Sequence, residues 1–539
     1  MPRSASFDRP VAGRPASARS VRSRAPRPFA IRDLPLDGQG PLYDQIYRAV
    51  RDAILSGRVA AGTRLPTTRA LAAELSISRG TVVAAFAPLA AEGYVVSQVG
   101  AGTFVAAQIS TRILPATPRG PLRSSVRGRG AAAPPLAPPP RLSRMGRALL
   151  ASSPRSLYDE DARRAPLPFD FRPCVPDLER LSYDGWRRSL ARSAWAVPPA
   201  SFDYGDPAGL PGLRQEIAAY LGRARGIACR ADEIVIVGGL AQALDLATRL
   251  FVDPGDRVLL EDPHYLGARR AFEAAGARLV AAPVDAEGID LSGIPAGRLE
   301  RCRLAYVTPS HQFPTGVVMS LARRQALLAW ARRANAFVLE DDYDSEFRYA
   351  GRAIAALKSL DAEQRVLYVG TFSKTLLPGL RIAYVVVPPG LVDAFRSAKW
   401  LADWSSPAFE QAALERFLAS GDFERHLRRA RTCYAASRAA LLEAIDRELA
   451  PFSPVRHDSR AGLHLLLELP ELPGDRPFDW VRAGRRRGIG LYPVAPCHLE
   501  GAPAALGFVM GFARLGPAEI ARGVRELGRL LAAGVGEAR

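Results

Sequence analysis

From about residue 167 to the end of the 539-residue chain, short apolar runs alternate with amphipathic stretches. That alternation restricts the fold more than any other feature. The runs 234–237, 336–339 and 366–369 are only about four residues long and carry no internal polar alternation. Runs of this kind, alternating with segments of helical period, are the buried strands of an α/β domain with a mostly parallel sheet.

The second constraint is chemical. Only three of the 73 basic residues are lysine, and one of them, Lys374, sits just beyond the run 366–370. A chain so poor in lysine that keeps one between an apolar strand and a turn needs a primary amine there. Arginine stays protonated and forms no Schiff base; lysine forms one once deprotonated. An aldehyde cofactor follows, and pyridoxal 5'-phosphate is the obvious one.

Charge is uneven. Residues 1–35 carry eight Arg against two Asp, 36–105 six Arg against five acids, and 106–166 eleven Arg against three acids. These sum to +15 of the net +19, so the front third is the part suited to a polyanion such as nucleic acid. The five cysteines form no CxxC pair, which argues against metal ligation and a disulfide framework and fits a reducing cytoplasm. No apolar run reaches membrane-spanning length, and the N-terminus lacks the apolar core of a secretory signal.

Composition divides the chain into four parts. Residues 1–36 form a basic, Pro-rich arm expected to be disordered. Residues 37–106 are compact and patterned. Residues 107–166 hold ten prolines and are expected to be a partly extended linker. Residues 167–539 make the α/β domain.

In the front module, Leu42, Ile46, Val50 and Ile54 recur every four residues and predict a helix over 41–56. A second helix starts at Thr67 or Thr68, and Ser78 caps a third that runs to about Glu92. Two short strands around a Gly-rich turn follow. This is a winged helix-turn-helix. Its recognition helix presents Ser78, Arg79 and Thr81 to the major groove, and Arg64 and Arg69 reach phosphates. The wording Leu65-Pro66-Thr67-Thr68-Arg69, Ser78-Arg79-Gly80-Thr81-Val82 and Gly100-Ala101-Gly102-Thr103-Phe104-Val105 resembles the GntR-type module over its whole length, about 65 residues. The resemblance implies contacts to double-stranded DNA from Arg64, Arg69, Ser78, Arg79, Thr81 and Gly100. Ala101, where serine is common, and Pro88, inside the third helix, depart from the pattern.

In the large domain, Asp341 ends a buried-strand pattern, where an open α/β sheet places ligand groups, and suits a pyridinium nitrogen. Tyr343 can donate to a phenolate oxygen. Gly238-Gly239-Leu240-Ala241 follows a strand and opens a helix, a backbone nest for phosphate. Thr371 and Arg381 flank Lys374, and Tyr265 offers a ring face.

These residues are similar to those of the fold-type I pyridoxal-phosphate aminotransferases over about 168–530. The strings 308–316 and 340–349 resemble the MocR branch, in which a GntR winged helix is fused to such a domain. The resemblance implies a smaller C-terminal α/β subdomain and an internal aldimine on Lys374. It assigns Asp341 to the ring nitrogen, Tyr343 to the phenolate oxygen, Tyr265 to stacking, and Leu240, Ala241, Thr371 and Arg381 to the phosphate. It also implies a homodimer, with domain swapping left open, in which Tyr204 reaches the partner's cofactor. Two departures concern turnover. Phe313 stands where many aminotransferases have asparagine, and Val509 stands where they keep the arginine for the substrate carboxylate. The expectation is a cytoplasmic transcriptional regulator that senses pyridoxal phosphate, or an amine or amino-acid effector, through external aldimine formation. A working aminotransferase with an appended DNA module is the alternative, and residual transaminase activity stays open.

Overall fold

A computed structural model describes residues 36–98, 100–107, 141–151, 167–196, 203–351, 355–457, 460–499, 501 and 503–538. The arm at 1–35 and most of the Pro-rich segment 107–166 lie outside the described residues. The chain divides into two compact units, residues 1–137 and 138–539.

The first unit contains the helices Leu42–Leu55, Thr68–Leu75 and Arg79–Ala91 and the antiparallel strands Val95–Gln98 and Gly102–Val105. Sequence dictates each helix start. The hydroxyl of Thr67 accepts the N–H of Ala70 at 3.2 Å, and that of Ser78 accepts the N–H of Thr81 at 3.1 Å. The four-residue period of the first helix puts Ile46, Val50 and Ile54 into one core with Leu71, Val82 and Leu89. Each such burial contributes roughly 1.5–3 kcal/mol. Pro88 lies inside the third helix, three residues before its end, far from the first turn.

The second unit is built on an eight-stranded sheet. Its order is Ile234–Val237, Ala383–Val386, Val366–Thr371, Phe337–Asp342, Cys302–Val307, Arg257–Asp262, Arg278–Asp285 and Gly288–Ile289. The central ladders are parallel, and Ala383–Val386 runs antiparallel between two strands that share one direction. Both faces are covered, which explains the unbroken apolar runs. Ile234 and Ile236 pack into one core with Leu213 and Ile217, while Val235 and Val237 pack into another with Leu244 and Ala247.

The smaller subdomain is a three-stranded antiparallel sheet, Val455–His457, His464–Pro473 and Ala505–Gly511. The long helices Asp422–Glu448 and Pro517–Ala538 pack together beside it. Phe169–Asp170 pairs with Ile489–Gly490, tying the start of the α/β domain to this subdomain. One element departs from expectation. Within the segment read as extended linker, Arg144–Ala151 forms a helix against the helix Leu266–Ala275. The hydroxyl of Ser143 accepts the N–H of Gly146 at 2.9 Å and starts it.

Candidate functional site

Parallel strands end on one edge of the sheet, and their carboxyl ends deliver the site. A cavity of about 240 Å³ there is lined by Lys374 together with Asp341, Tyr343, Tyr265, Leu240, Ala241, Thr371 and Arg381. Every large-domain residue to which the resemblance assigns a cofactor contact lines this cavity except Tyr204.

The anion cup forms after Ile234–Val237. Gly239 has φ 124°, a conformation side chains rarely adopt, and a Cβ there would lie 2.7 Å from Arg381 Nη2. The missing side chain thus lets the Arg381 guanidinium lie over the start of the helix Leu240–Phe251. The amides of Leu240 and Ala241 open that helix, where N–H groups and dipole favour an anion. Gly238 contributes less than expected, because its N–H donates to Gln242 Oε1 at 2.7 Å. Thr371 Oγ1 accepts the Ser373 N–H at 3.1 Å, and Ser373 joins the lining.

Asp341 lines the same cavity. Tyr306 donates its hydroxyl to Asp341 Oδ2 at 2.6 Å. Burial pushes the Asp341 carboxyl up to about 7, opposed by the Tyr306 hydrogen bond and by the charge of Lys374. A buried carboxylate in this state gains most from a cationic ring N–H. The rings of Tyr265 and Phe313 meet edge to face with centroids 5.8 Å apart.

Tyr306, Ser373, Pro173, Cys174 and Pro378 line the cavity without having been singled out. So does Phe313, noted from sequence only as a departure. Tyr306 lies inside an apolar strand, where its position reads as core. Cys174 arrives from a segment about 200 residues earlier in the chain.

A further buried group was quoted in the sequence strings without a role. His311 Nδ1 lies 3.1 Å from both Asp344 oxygens and 3.1 Å from the Tyr343 hydroxyl. That hydroxyl donates to the His311 carbonyl at 2.9 Å, and the Leu463 N–H donates to Asp344 Oδ2 at 3.1 Å. His464 Nδ1 is 3.6 Å from Cys174 Sγ. Ligand atoms of His311, Asp344 and His464 lie within 4.8 Å of one another, a metal-capable trio that spacing did not announce. In the structure His311 and Asp344 are engaged with each other and with Tyr343, whereas the Nδ1 of His464 faces Cys174. The strings 308–316 and 340–349 therefore meet beside Tyr343, where residues 462–464 join them.

Tyr204 lies elsewhere. It is 76% exposed, its ring is 4.7 Å from Trp404, and it borders a separate cavity with Asp206 and Gln411. In the first unit, Ser78, Arg79 and Thr81 occupy the start of the third helix, with Ser78 and Arg79 exposed. Arg64 and Arg69 are exposed, and Arg64 forms an isolated bridge with Phe104 of the wing. Gly100 turns the wing with φ 80°. Among the described residues no helix is long and apolar enough to cross a membrane.

Fold and cavity define a fold-type I aminotransferase-like domain in the second unit, and the first unit is a winged helix-turn-helix. Comparison with known proteins agrees on both. Residues 194–472 match the family model of aminotransferase class I and II, and residues 42–105 match that of the bacterial regulatory proteins of the gntR family. The chain is 35% identical to a probable rhizopine catabolism regulatory protein, MocR, of Rhizobium meliloti, over 91% of this chain and 94% of that one. It is 29% identical to the pyridoxine biosynthesis regulator PdxR of Corynebacterium glutamicum, over 87% and 91%. Among solved structures it is similar to LysN, an α-aminoadipate aminotransferase of Thermus thermophilus complexed with N-(5'-phosphopyridoxyl)-L-leucine. That match has TM-score 0.64 and 30% identity, over 73% of this chain and 97% of that one. The chain belongs to the MocR-type GntR family of helix-turn-helix transcriptional regulators, with an aminotransferase-like domain fused to the DNA-binding module.

Proposed function

We propose that this regulator carries pyridoxal phosphate on Lys374 and alters its hold on DNA when an amine effector enters the same cavity. One observation carries the reading. Residues chosen for lysine, carboxylate, ring-stacking and anion chemistry, from five separate segments, line a single cavity. The donor set fits the cofactor: a cationic and amide cup for a phosphate, a buried carboxylate for a ring nitrogen, and a phenol for a ring oxygen.

When bound, the cofactor supplies an aldehyde that reacts with primary amines. The protein's own groups do the rest. Arg381 and the Leu240 and Ala241 amides hold the phosphate, Asp341 keeps the ring nitrogen protonated, and Tyr265 covers one ring face. Tyr343, seated on His311, places its hydroxyl at the ring oxygen. An amine that takes the place of the Lys374 amine releases that side chain, and the freed lysine is the local change read by the rest of the domain. Two copies of the chain would place paired winged helices on paired half-sites. In that dimer Tyr204, exposed on its own subunit, reaches toward the partner's cofactor.

The test is spectroscopic and then functional. The purified protein with added cofactor should show a visible absorbance band. Borohydride reduction and peptide mapping should place the label on Lys374. Operator affinity or DNA bending should then change between the free, cofactor-loaded and amine-treated protein. Identical DNA binding in all three states would remove sensing from the proposal. Steady conversion of an amino acid to its oxo acid would instead favour a working aminotransferase.

A further inference from the structure

A second cavity of about 210 Å³ adjoins the Lys374 cavity and shares Pro173, Tyr265 and Phe313 with it. Its other walls include Leu266, Arg270, Tyr492, Pro493, Cys497 and Val509. A ligand whose amine reaches Lys374 past Tyr265 and Phe313 has this chamber as the adjoining space for the rest of the molecule.

On the Tyr492 and Val509 side of the chamber the polar groups are already committed. The Tyr492 hydroxyl donates to Asp170 Oδ1 at 2.7 Å and accepts from Arg172 Nε at 3.1 Å. The neighbouring guanidinium groups of Arg172 and Arg514 are held by the same Asp170, at 3.3 and 2.9 Å. The N–H of Val509 donates to the Tyr492 carbonyl at 2.8 Å. The Val509 side chain is 2% exposed and packs with Leu466, Val494, Cys497 and Phe313. A carboxylate set against that face would lose its water and find no donor, which is unfavourable. A hydrocarbon set there gains by burial. Among the described lining residues Arg270 carries the one formal charge, outside the Tyr492 and Val509 contacts just named.

We infer that this chamber takes the body of the effector. It selects primary amines with a branched or aromatic hydrocarbon body and no carboxylate on the amine-bearing carbon. The inference rests on the assignment of Lys374 as the cofactor lysine.

The test uses the full-length, cofactor-loaded protein and five ligands: ethylamine, isopentylamine, 2-phenylethylamine, L-leucine and L-phenylalanine. Binding is read from the visible band and by calorimetry. Isopentylamine and 2-phenylethylamine should bind at least tenfold tighter than ethylamine and than the amino acid of matching body. Val509→Arg should reverse the order within each matched pair. Leu266→Trp, which fills the chamber, should weaken the two larger amines tenfold or more and leave ethylamine within twofold.

The inference is overturned if either amino acid binds tighter than its matching amine. Loss of that preference in Arg270→Gln would then assign the chamber to a carboxylate. Equal binding of ethylamine and the larger amines overturns it as well. Hydroxylamine separates the two levels. If it changes the band but body size has no effect, only this inference fails. If there is no band, or hydroxylamine leaves it untouched, the cofactor assignment fails and this inference with it.

Discussion

The imidazole of His311 occupies the space that a side chain on Gly462 would need. A Cβ at Gly462 would overlap His311 Cε1 and lie 2.7 Å from Asp344 Oδ2, and Gly462 has φ 75°. The glycine is thus required twice, by backbone conformation and by the ring against it. Through His311 it bears on Tyr343, whose hydroxyl rests on the His311 carbonyl and ring nitrogen at 2.9 and 3.1 Å.

Gly462→Ala should therefore destabilise the large unit by about 2–4 kcal/mol, combining the left-handed backbone and the overlap. It should also weaken cofactor binding, since Tyr343 loses its seat. Urea denaturation and absorbance titration measure the two effects. Adding His311→Ala removes the ring in the way, so the double variant should be less destabilised than the sum of the singles. Simple additivity would mean the ring is not what the glycine accommodates.

The lysine count gives a sharper prediction. Lys358 and Lys399 are buried and ion-paired, to Asp361 at 3.2 Å and to Asp403 at 2.6 Å. Lys374 alone of the three lines the cavity. Reduction of the loaded protein should label position 374 only. Lys374→Ala should lose the visible band, and Lys374→Arg should not restore it, because a guanidinium cannot bond to the aldehyde. Label at 358 or 399 would refute the assignment.

What could be read from sequence follows from how replaceable each residue is. Lys374 and Asp341 were legible because one chemistry and one strand end each single them out. The helix starts at Thr67 and Ser78 were legible because capping is local. Tyr306 was not, since a tyrosine inside an apolar strand has the same pattern whether its hydroxyl meets a carboxylate or water. Cys174 needed the tertiary fold to bring residue 174 beside residue 374. The role of His311 needed both Asp344 and Gly462, and neither implies the other in one dimension. The helix Arg144–Ala151 was hidden by the prolines around it, which dominate any composition window.

Buried carboxyls give the cofactor-free protein an unusual pH dependence. Burial pushes Glu261, Glu340, Asp341 and Glu346 each up to about 7. Their folded values lie above their unfolded ones, so the folded state binds more protons between about pH 4 and 7, and stability falls as pH rises through 7. Between pH 6.5 and 8 the loss should be on the order of 1 kcal/mol for each group that titrates independently. Buried His464 and His264, held down to about 3 and 4, act the other way and cost stability below about pH 6.5. Chemical denaturation should therefore find the cofactor-free protein less stable at pH 8 than at pH 6.5. Loading with pyridoxal phosphate should flatten the slope, because a ring cation favours the Asp341 carboxylate. A flat profile over this range would show that these carboxyls are ionised in the fold.

The first unit separates base reading from phosphate holding. Arg79 projects from the exposed first turn of the third helix, 3.5 Å from Thr68 Oγ1 and otherwise turned to solvent. Arg69 is exposed on the second helix. Arg79→Ala should cost about 1–3 kcal/mol on a preferred site selected from random DNA and little on unrelated sequence, since a base-edge contact is lost. Arg69→Ala should weaken both alike and lower the slope of log affinity against log salt by about 0.9, one phosphate contact. Salt-dependent fluorescence anisotropy on the two DNAs distinguishes these outcomes. If Arg79→Ala instead weakened both sequences equally and changed the salt slope, the third helix would lie along the backbone rather than in the groove.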